Sequence, residues 1–174
     1  MRTPILTLAA AVVVATACGS DSTAPASKIV NLTTTLSPAN EPAVTGSPTS
    51  SGTFTATLDT STNIFTWSGT FTGLTSNAFL GHIHGPFVPG GAATTGGVIL
   101  NFDPAATPGA TFIGLNTATS GTISGSILLT SATVFTNTVN GDSLRKLLLA
   151  GLTYANIHSV TNKGGEIRGQ ITVK

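Results

Sequence analysis

Alternation with a period of two constrains this chain more than any other feature. From Gly52 to Leu58, Thr residues alternate with Phe54, Ala56 and Leu58. A turn-like stretch, Asp59 to Asn63, follows. Phe65, Trp67, Gly69 and Phe71 then alternate with Thr66, Ser68, Thr70 and Thr72. Successive side chains of a strand point to opposite faces, so this pattern makes a hairpin with one apolar and one hydroxyl face. Thr is stiff at χ1 and suits a strand whose outer face must be polar. Trp67 falls on the apolar side and is expected in the core.

The same period recurs along the chain. Ile29 to Leu36, Ala78 to His84, Val98 to Phe102 and Gly121 to Leu129 read as strands. The last hairpin is Tyr154 to Thr161 and Glu166 to Val173, joined by Asn162-Lys163-Gly164-Gly165. Ser37 to Ser51, Gly85 to Gly97 and Asp103 to Asn116 read as connections rich in Pro, Gly or Ser. One helix signal interrupts the series. Asp142 is placed to accept from first-turn N–H groups, Leu144, Leu147 and Leu148 share a face, and Gly151 can close the helix. The expected fold is all-β: an antiparallel β-sandwich or partly closed barrel of about eight strands with one short helix.

The first 27 residues do not fit this pattern. Met1-Arg2-Thr3 is a basic start, Pro4 to Ala17 is apolar or small, and Ala15-Thr16-Ala17 precedes Cys18, the only cysteine. That order is a secretory signal peptide's, and the apolar run is about half of the ~20 residues a spanning helix needs. Ala-Thr-Ala-Cys followed by Gly19-Ser20 resembles a bacterial lipobox, with Ala15 where Leu is usual. The expected organisation is a lipoprotein leader (1–17), a lipidated Cys18 with a flexible tether (18–27) and a β domain (28–174). An ordinary signal peptide leaving Cys18 as a free thiol is the alternative. Lipidation makes the protein exported and anchored to a membrane of the bacterial envelope.

Charge excludes some partners. Only 7% of residues are charged, and without Arg2 six basic side chains face six acidic ones. There is no basic stripe, so nucleic-acid binding is not expected.

Three histidines carry the candidate chemistry. His82 and His84, in Gly81-His82-Ile83-His84-Gly85-Pro86, would lie on one strand face, a spacing suited to chelating one metal ion. His158 lies far downstream. A two- or four-residue loop in the last hairpin would pair Val160 with Ile167 and His158 with Gly169. His158 would then share the apolar face with Val160, Ile167 and Ile171. Three readings stay open. The histidines bind Zn²⁺ or Cu²⁺, with Glu41 or Glu166 as a fourth or outer ligand. They form a structural network with backbone carbonyls. Or they line a polar pocket with Arg168 for an organic ligand. No His-Glu-x-x-His, Cys-x-x-Cys or Gly-x-Ser-x-Gly occurs, so no reaction is indicated.

Ala39-Asn40-Glu41-Pro42, the Gly52–Leu58 strand, the His82/His84 motif, Leu147-Leu148-Leu149-Ala150-Gly151, Ala155-Asn156-Ile157-His158 and Gly164-Gly165-Glu166-Ile167-Arg168-Gly169-Gln170 occur in that order. Together they resemble the CHRD domain, named for the developmental protein chordin and common in exported microbial proteins. The resemblance runs from about Ile29 to Val173. Glu41-Pro42-Ala43-Val44 departs from a Glu-Val-Pro-Pro-like stretch frequent in the family. The resemblance implies an all-β extracytoplasmic domain and no particular reaction. The expected role is an envelope-anchored binding or adhesion module for an extracytoplasmic protein or glycan. The alternative is a single-site metal protein or metalloenzyme built on His82, His84 and His158.

Overall fold

The computed structural model describes residues 28–46, 48–91, 95–135 and 139–174. The leader, Cys18 and the tether lie outside the described residues. Among the described residues no helix is long and apolar enough to cross a membrane.

Among the described residues ten strands form two antiparallel sheets, which selects the sandwich over a closed barrel. The strands are β1 (Ile29–Leu36), β2 (Ser51–Asp59), β3 (Ile64–Thr72), β4 (Ala78–Gly85), β5 (Gly97–Asn101), β6 (Thr111–Ile113), β7 (Gly121–Leu128), β8 (Tyr154–Ser159), β9 (Ile167–Gln170) and β10 (Thr172–Val173). The larger sheet runs β10-β1-β2-β3-β7-β6 and the smaller β5-β4-β8-β9. Ser37, just past β1, exchanges backbone hydrogen bonds with Arg168 of β9 at 3.0 and 3.2 Å and ties the sheets along one side.

Alternation fills the space between the sheets. Phe54, Leu58, Phe65, Trp67, Phe71 and Ile123 point inward from the larger sheet, and Ile83, Leu100, Ala155, Ile157 and Ile167 are buried on the smaller. Phe102 stacks at 5.9 Å on Phe54 and lies 6.2 Å from Trp67. Trp67 is 2% exposed, a core residue as its position in the pattern requires. Its ring lies over Gly125, its partner on β7, where a Cβ would come within 2.2 Å of the indole. Only glycine fits there.

The short helix α1 (Gly141–Leu149) buries Leu144 and Leu148. Its cap differs from the expectation at Asp142: Asn140 Oδ1 accepts from Ser143 N at 3.0 Å, so the helix starts earlier and Asp142 sits in the first turn. An acidic residue there still favours the helix N-terminus. Gly151 follows at φ +65°, the left-handed conformation that ends helices.

Three details of the strands depart from the periodicity. Thr111–Ile113 is a strand inside the stretch read as a connection; three residues are too few for a pattern to show. The final stretch is two strands, because Ile171 donates to Thr153 O at 2.9 Å and is buried between them; β9 stays in the smaller sheet and β10 joins β1 in the larger. The last hairpin also has a different register: Ile157 pairs with Ile167 and Ala155 with Gly169. Its connection is longer than the sequence suggests, because Val160 turns out to donate to Asn77 O and Glu166 is drawn inward. His158 therefore leaves the apolar face, which Ile157 takes instead.

Candidate metal centre

The corrected register places His158 on the other face of the smaller sheet, together with Tyr154 and Asn156 of β8. Across β4, Asn156 pairs with His82 and Tyr154 with His84; across β9, Asn156 pairs with Arg168. The result is a grid of polar side chains on one sheet face. Yet His82, His84, Tyr154, Asn156, His158 and Arg168 are each at most 9% exposed.

His82 and His84 lie on the same face of β4, with ring centroids 5.3 Å apart. His158 joins them, 4.9 Å from His82 and 6.3 Å from His84. One ring nitrogen from each histidine lies within 4.8 Å of the others. Among the described residues no carboxylate belongs to this group.

Hydrogen bonds fix which nitrogen each ring presents. His158 Nδ1 lies 2.8 Å from Lys163 O and His84 Nδ1 lies 3.0 Å from Gly96 O. A carbonyl only accepts, so both Nδ1 atoms carry the proton and both Nε2 atoms carry a lone pair. His82 Nδ1 is 3.0 Å from His158 Nε2 and donates to it. Among the described residues His84 Nε2 is buried without a hydrogen bond of full geometry, and the Asn156 side chain is the polar group that acts on it. Asn156 Oδ1, on the same face, is also buried without one. A buried acceptor left unpaired costs about 1–3 kcal/mol.

Burial keeps the cluster uncharged. It pushes His82 down to about 3, helped by neighbouring His158 and His84 and opposed by Asn101. His84 and His158 are also held below the usual histidine range, chiefly by burial. All three imidazoles are therefore neutral at physiological pH, the form that ligates metals.

A second layer surrounds the histidines. Tyr154 stacks parallel on His84 at 4.8 Å, and its hydroxyl accepts from Gly96 N at 3.3 Å. The Arg168 guanidinium lies 4.7 Å from the Tyr154 ring centre and 5.1 Å from that of Phe87. Arg168 Nε donates to Asn40 O at 2.5 Å and lies 3.9 Å from Glu41 Oε2. Asn156 Nδ2 reaches Glu41 Oε1 at 3.5 Å. Burial raises the Glu41 carboxyl to about 7, against Arg168 and Asn156, which lower it. Glu41 and Arg168 thus stand beside the histidines, behind Asn156 and Tyr154.

Glu166, weighed with Glu41 as a further ligand, is held elsewhere. Its carboxylate accepts from Thr75 N at 2.8 Å, Thr75 Oγ1 at 2.7 Å and Asn162 Nδ2 at 3.1 Å. Three donors already converge on it, so it pins the β3–β4 connection to the last turn. Tyr154, Asn156 and Phe87 were not singled out in the sequence. Tyr154 and Asn156 precede His158 at intervals of two, and that spacing is the signal that could have found them.

The family model described as the CHRD domain matches residues 32–171. No curated protein and no solved structure matches the chain.

Proposed function

Since the chain belongs to the CHRD domain family, we propose that it is an exported, lipid-anchored binding module whose built site is a single metal centre. His82, His84 and His158 would hold one Zn²⁺ or Cu²⁺. The observation that carries this reading is the convergence of three neutral imidazoles, one ring nitrogen of each lying within 4.8 Å of the others. Imidazoles whose Nδ1–H is tied to a backbone carbonyl are the usual form of metal-ligating histidines.

The spacing supports the same reading. Ligands of a tetrahedral ion at 2.0–2.1 Å stand about 3.3 Å apart. His82 Nδ1 and His158 Nε2, 3.0 Å apart, are near that edge length already. To ligate through Nδ1, His82 would carry its ring proton on Nε2 instead, the other neutral tautomer, which frees both facing nitrogens for the ion. Three nitrogen ligands leave a tetrahedral ion one position for a further ligand, which suits a binding role. Imidazole sets of this kind take Zn²⁺ and Cu²⁺ more readily than Mg²⁺ or Ca²⁺.

The test is elemental analysis of the full chain purified without a His tag, beside a His82→Ala/His84→Ala variant. Near one zinc or copper per chain, lost in the variant, is expected. No metal after incubation and washing, with a variant that merely loses stability, would assign the histidines to structure.

The membrane anchor rests on the order of Met1–Ala17 and on Cys18. Cells fed a fatty-acid analogue should label the protein, and Cys18→Ala should abolish the label.

A further inference from the structure

The outer face of the larger sheet carries a regular array of hydroxyls that the metal centre does not use. One row crosses all six strands in register: Thr172, Thr33, Thr55, Ser68, Ser124 and Thr111. The row beside it is Asn31, Thr57, Thr66 and Ser126, and on the other side run Thr35, Thr53, Thr70 and Thr122. Strand geometry spaces these side chains about 4.8 Å across the sheet and about 6.8 Å along each strand. Some hydroxyls already hold one another in place: Thr53 with Thr70 and Thr66 with Ser126, both at 3.0 Å.

A groove of about 660 Å³ crosses β1, β2 and β3, lined by the outward Asn31, Thr33, Thr55, Thr57, Thr66 and Ser68, by Lys174, and by the inward-facing Leu32, Ala56 and Trp67. That volume is within the range of small-molecule sites.

We propose that this groove binds a neutral oligosaccharide or polysaccharide chain. Each Thr offers a hydroxyl that both donates and accepts beside a methyl group, and a sugar ring offers hydroxyls beside C–H faces. Lys174 is the one charged side chain in the lining, so nothing there complements an anionic polymer. Leu32, Ala56 and Trp67 reach the groove only from the buried side, each at most 7% exposed, so it offers a protein partner no exposed aromatic or large aliphatic anchor. Exposed Ile29, Ile64 and Leu128 instead form a separate row with Asp59 at one end of the sheet. The proposal deepens the binding-module reading and does not depend on the metal.

The probes are neutral hexasaccharides from cellulose, chitin and starch, with polygalacturonate as an anionic control. The proteins are the full chain, Thr55→Val/Thr57→Val/Thr66→Val, and Thr122→Val. Val keeps the shape and strand preference of Thr and removes only the hydroxyl. At least one neutral hexasaccharide should bind saturably, and the triple variant should weaken it by at least about tenfold at an unchanged melting temperature. Thr122→Val, on the same face outside the groove, should bind like the parent. His84→Ala should lose metal and keep the saccharide, which separates failure of one site from failure of the other. Binding of none of the hexasaccharides, equal binding by the triple variant, or preference for polygalacturonate would each overturn the proposal.

Discussion

His82 Nδ1 and His158 Nε2 stand 3.0 Å apart although 76 residues separate them in the chain. The contact exists because β4 and β8 are neighbours and Asn156 pairs with His82, which sets His158 diagonally across from it. Each ring is also fixed from behind or beside: His158 by Lys163 O, and His82 by its place between His84 and His158.

Replacing one member of this pair should remove the metal without unfolding the domain. His158→Asn is expected to lower bound zinc or copper from near one per chain to none. Losing one of three ligands weakens binding by orders of magnitude, and Asn can still donate toward Lys163 O. Metal analysis after dialysis, with circular dichroism to show that the sheets persist, checks it. Full metal in His158→Asn would exclude His158 as a ligand.

Acid should destabilise the metal-free protein from about pH 6.5 downward. The His82 pKa is about 3 in the folded state, against 6.5 when the ring is free, and His84 and His158 shift the same way. Below 6.5 the unfolded chain binds more protons than the folded one, so folding weakens as pH falls. The stabilising contribution is complete above 6.5 and is lost toward pH 3. Each shifted ring contributes about 1.4 kcal/mol per pH unit inside its window. Urea midpoints from pH 8 to pH 4 should fall, and His82→Gln should flatten the slope. An equal slope in both proteins would mean that His82 is not held neutral by the fold.

Glu41 works in the opposite direction. Its carboxyl is raised from 4.5 to about 7, mainly by burial. Its contribution is complete below pH 4.5 and is lost as pH rises through 7, because burial penalises the carboxylate more than Arg168 and Asn156 favour it. The histidine group outweighs it between 4.5 and 6.5. Between 6.5 and 7.5 the unfolded histidines still release protons, so the two effects nearly cancel in the wild-type protein. The readout is the comparison with Glu41→Gln: from pH 5.5 to 7.5 the wild-type protein should lose about 2 kcal/mol relative to the variant. A gap between the two that does not change with pH would show Glu41 already ionised.

Much of this arrangement was legible in the sequence and some was not, for specific reasons. The hydroxyl face of β2 and β3 follows from strict alternation, and so does the meeting of His82 and His84 on one side of β4. The face of His158 did not follow. It depends on the length of the last hairpin connection, which Glu166 and Asn77 set through contacts distant in sequence. The role of Glu166 was hidden for the same reason, since its partner Thr75 lies 91 residues away. Ser37 meeting Arg168, and Ile171 dividing the last strand, are likewise products of how two sheets approach each other.

Filling the space under the indole should cost stability. In Gly125→Ala the new methyl would lie within 2.2–2.7 Å of three Trp67 ring atoms. Trp67 is wedged by Phe65 at 5.5 Å and Phe102 at 6.2 Å, so its ring has little room to turn. Overpacking of this kind costs about 1–3 kcal/mol, or several degrees of melting temperature in a domain of this size. The single tryptophan makes the change visible: its emission should shift red as the ring is displaced. An unchanged spectrum and melting temperature would show that β7 yields at this point.

Glu166 should prove essential to folding and irrelevant to metal. It is fully buried and accepts from Thr75 N, Thr75 Oγ1 and Asn162 Nδ2. Burial works to raise its pKa, but hydrogen bonds from Ser159, Thr75 and Asn162 outweigh this and hold it below 4.5. Glu166→Gln keeps the shape but turns an NH₂ toward groups that themselves donate, and Glu166→Ala strands those donors. Losses of about 2–4 kcal/mol are expected, larger for Ala. The low folded pKa makes the stabilisation complete above pH 4.5 and lost as pH falls below it. The gap in urea midpoint between wild type and Glu166→Gln should therefore narrow under acid. Metal content at pH 7 should stay near one per folded chain in both. A Glu166→Gln protein that folds normally but loses its metal would instead place this carboxylate at the metal and move the centre away from the three imidazoles alone.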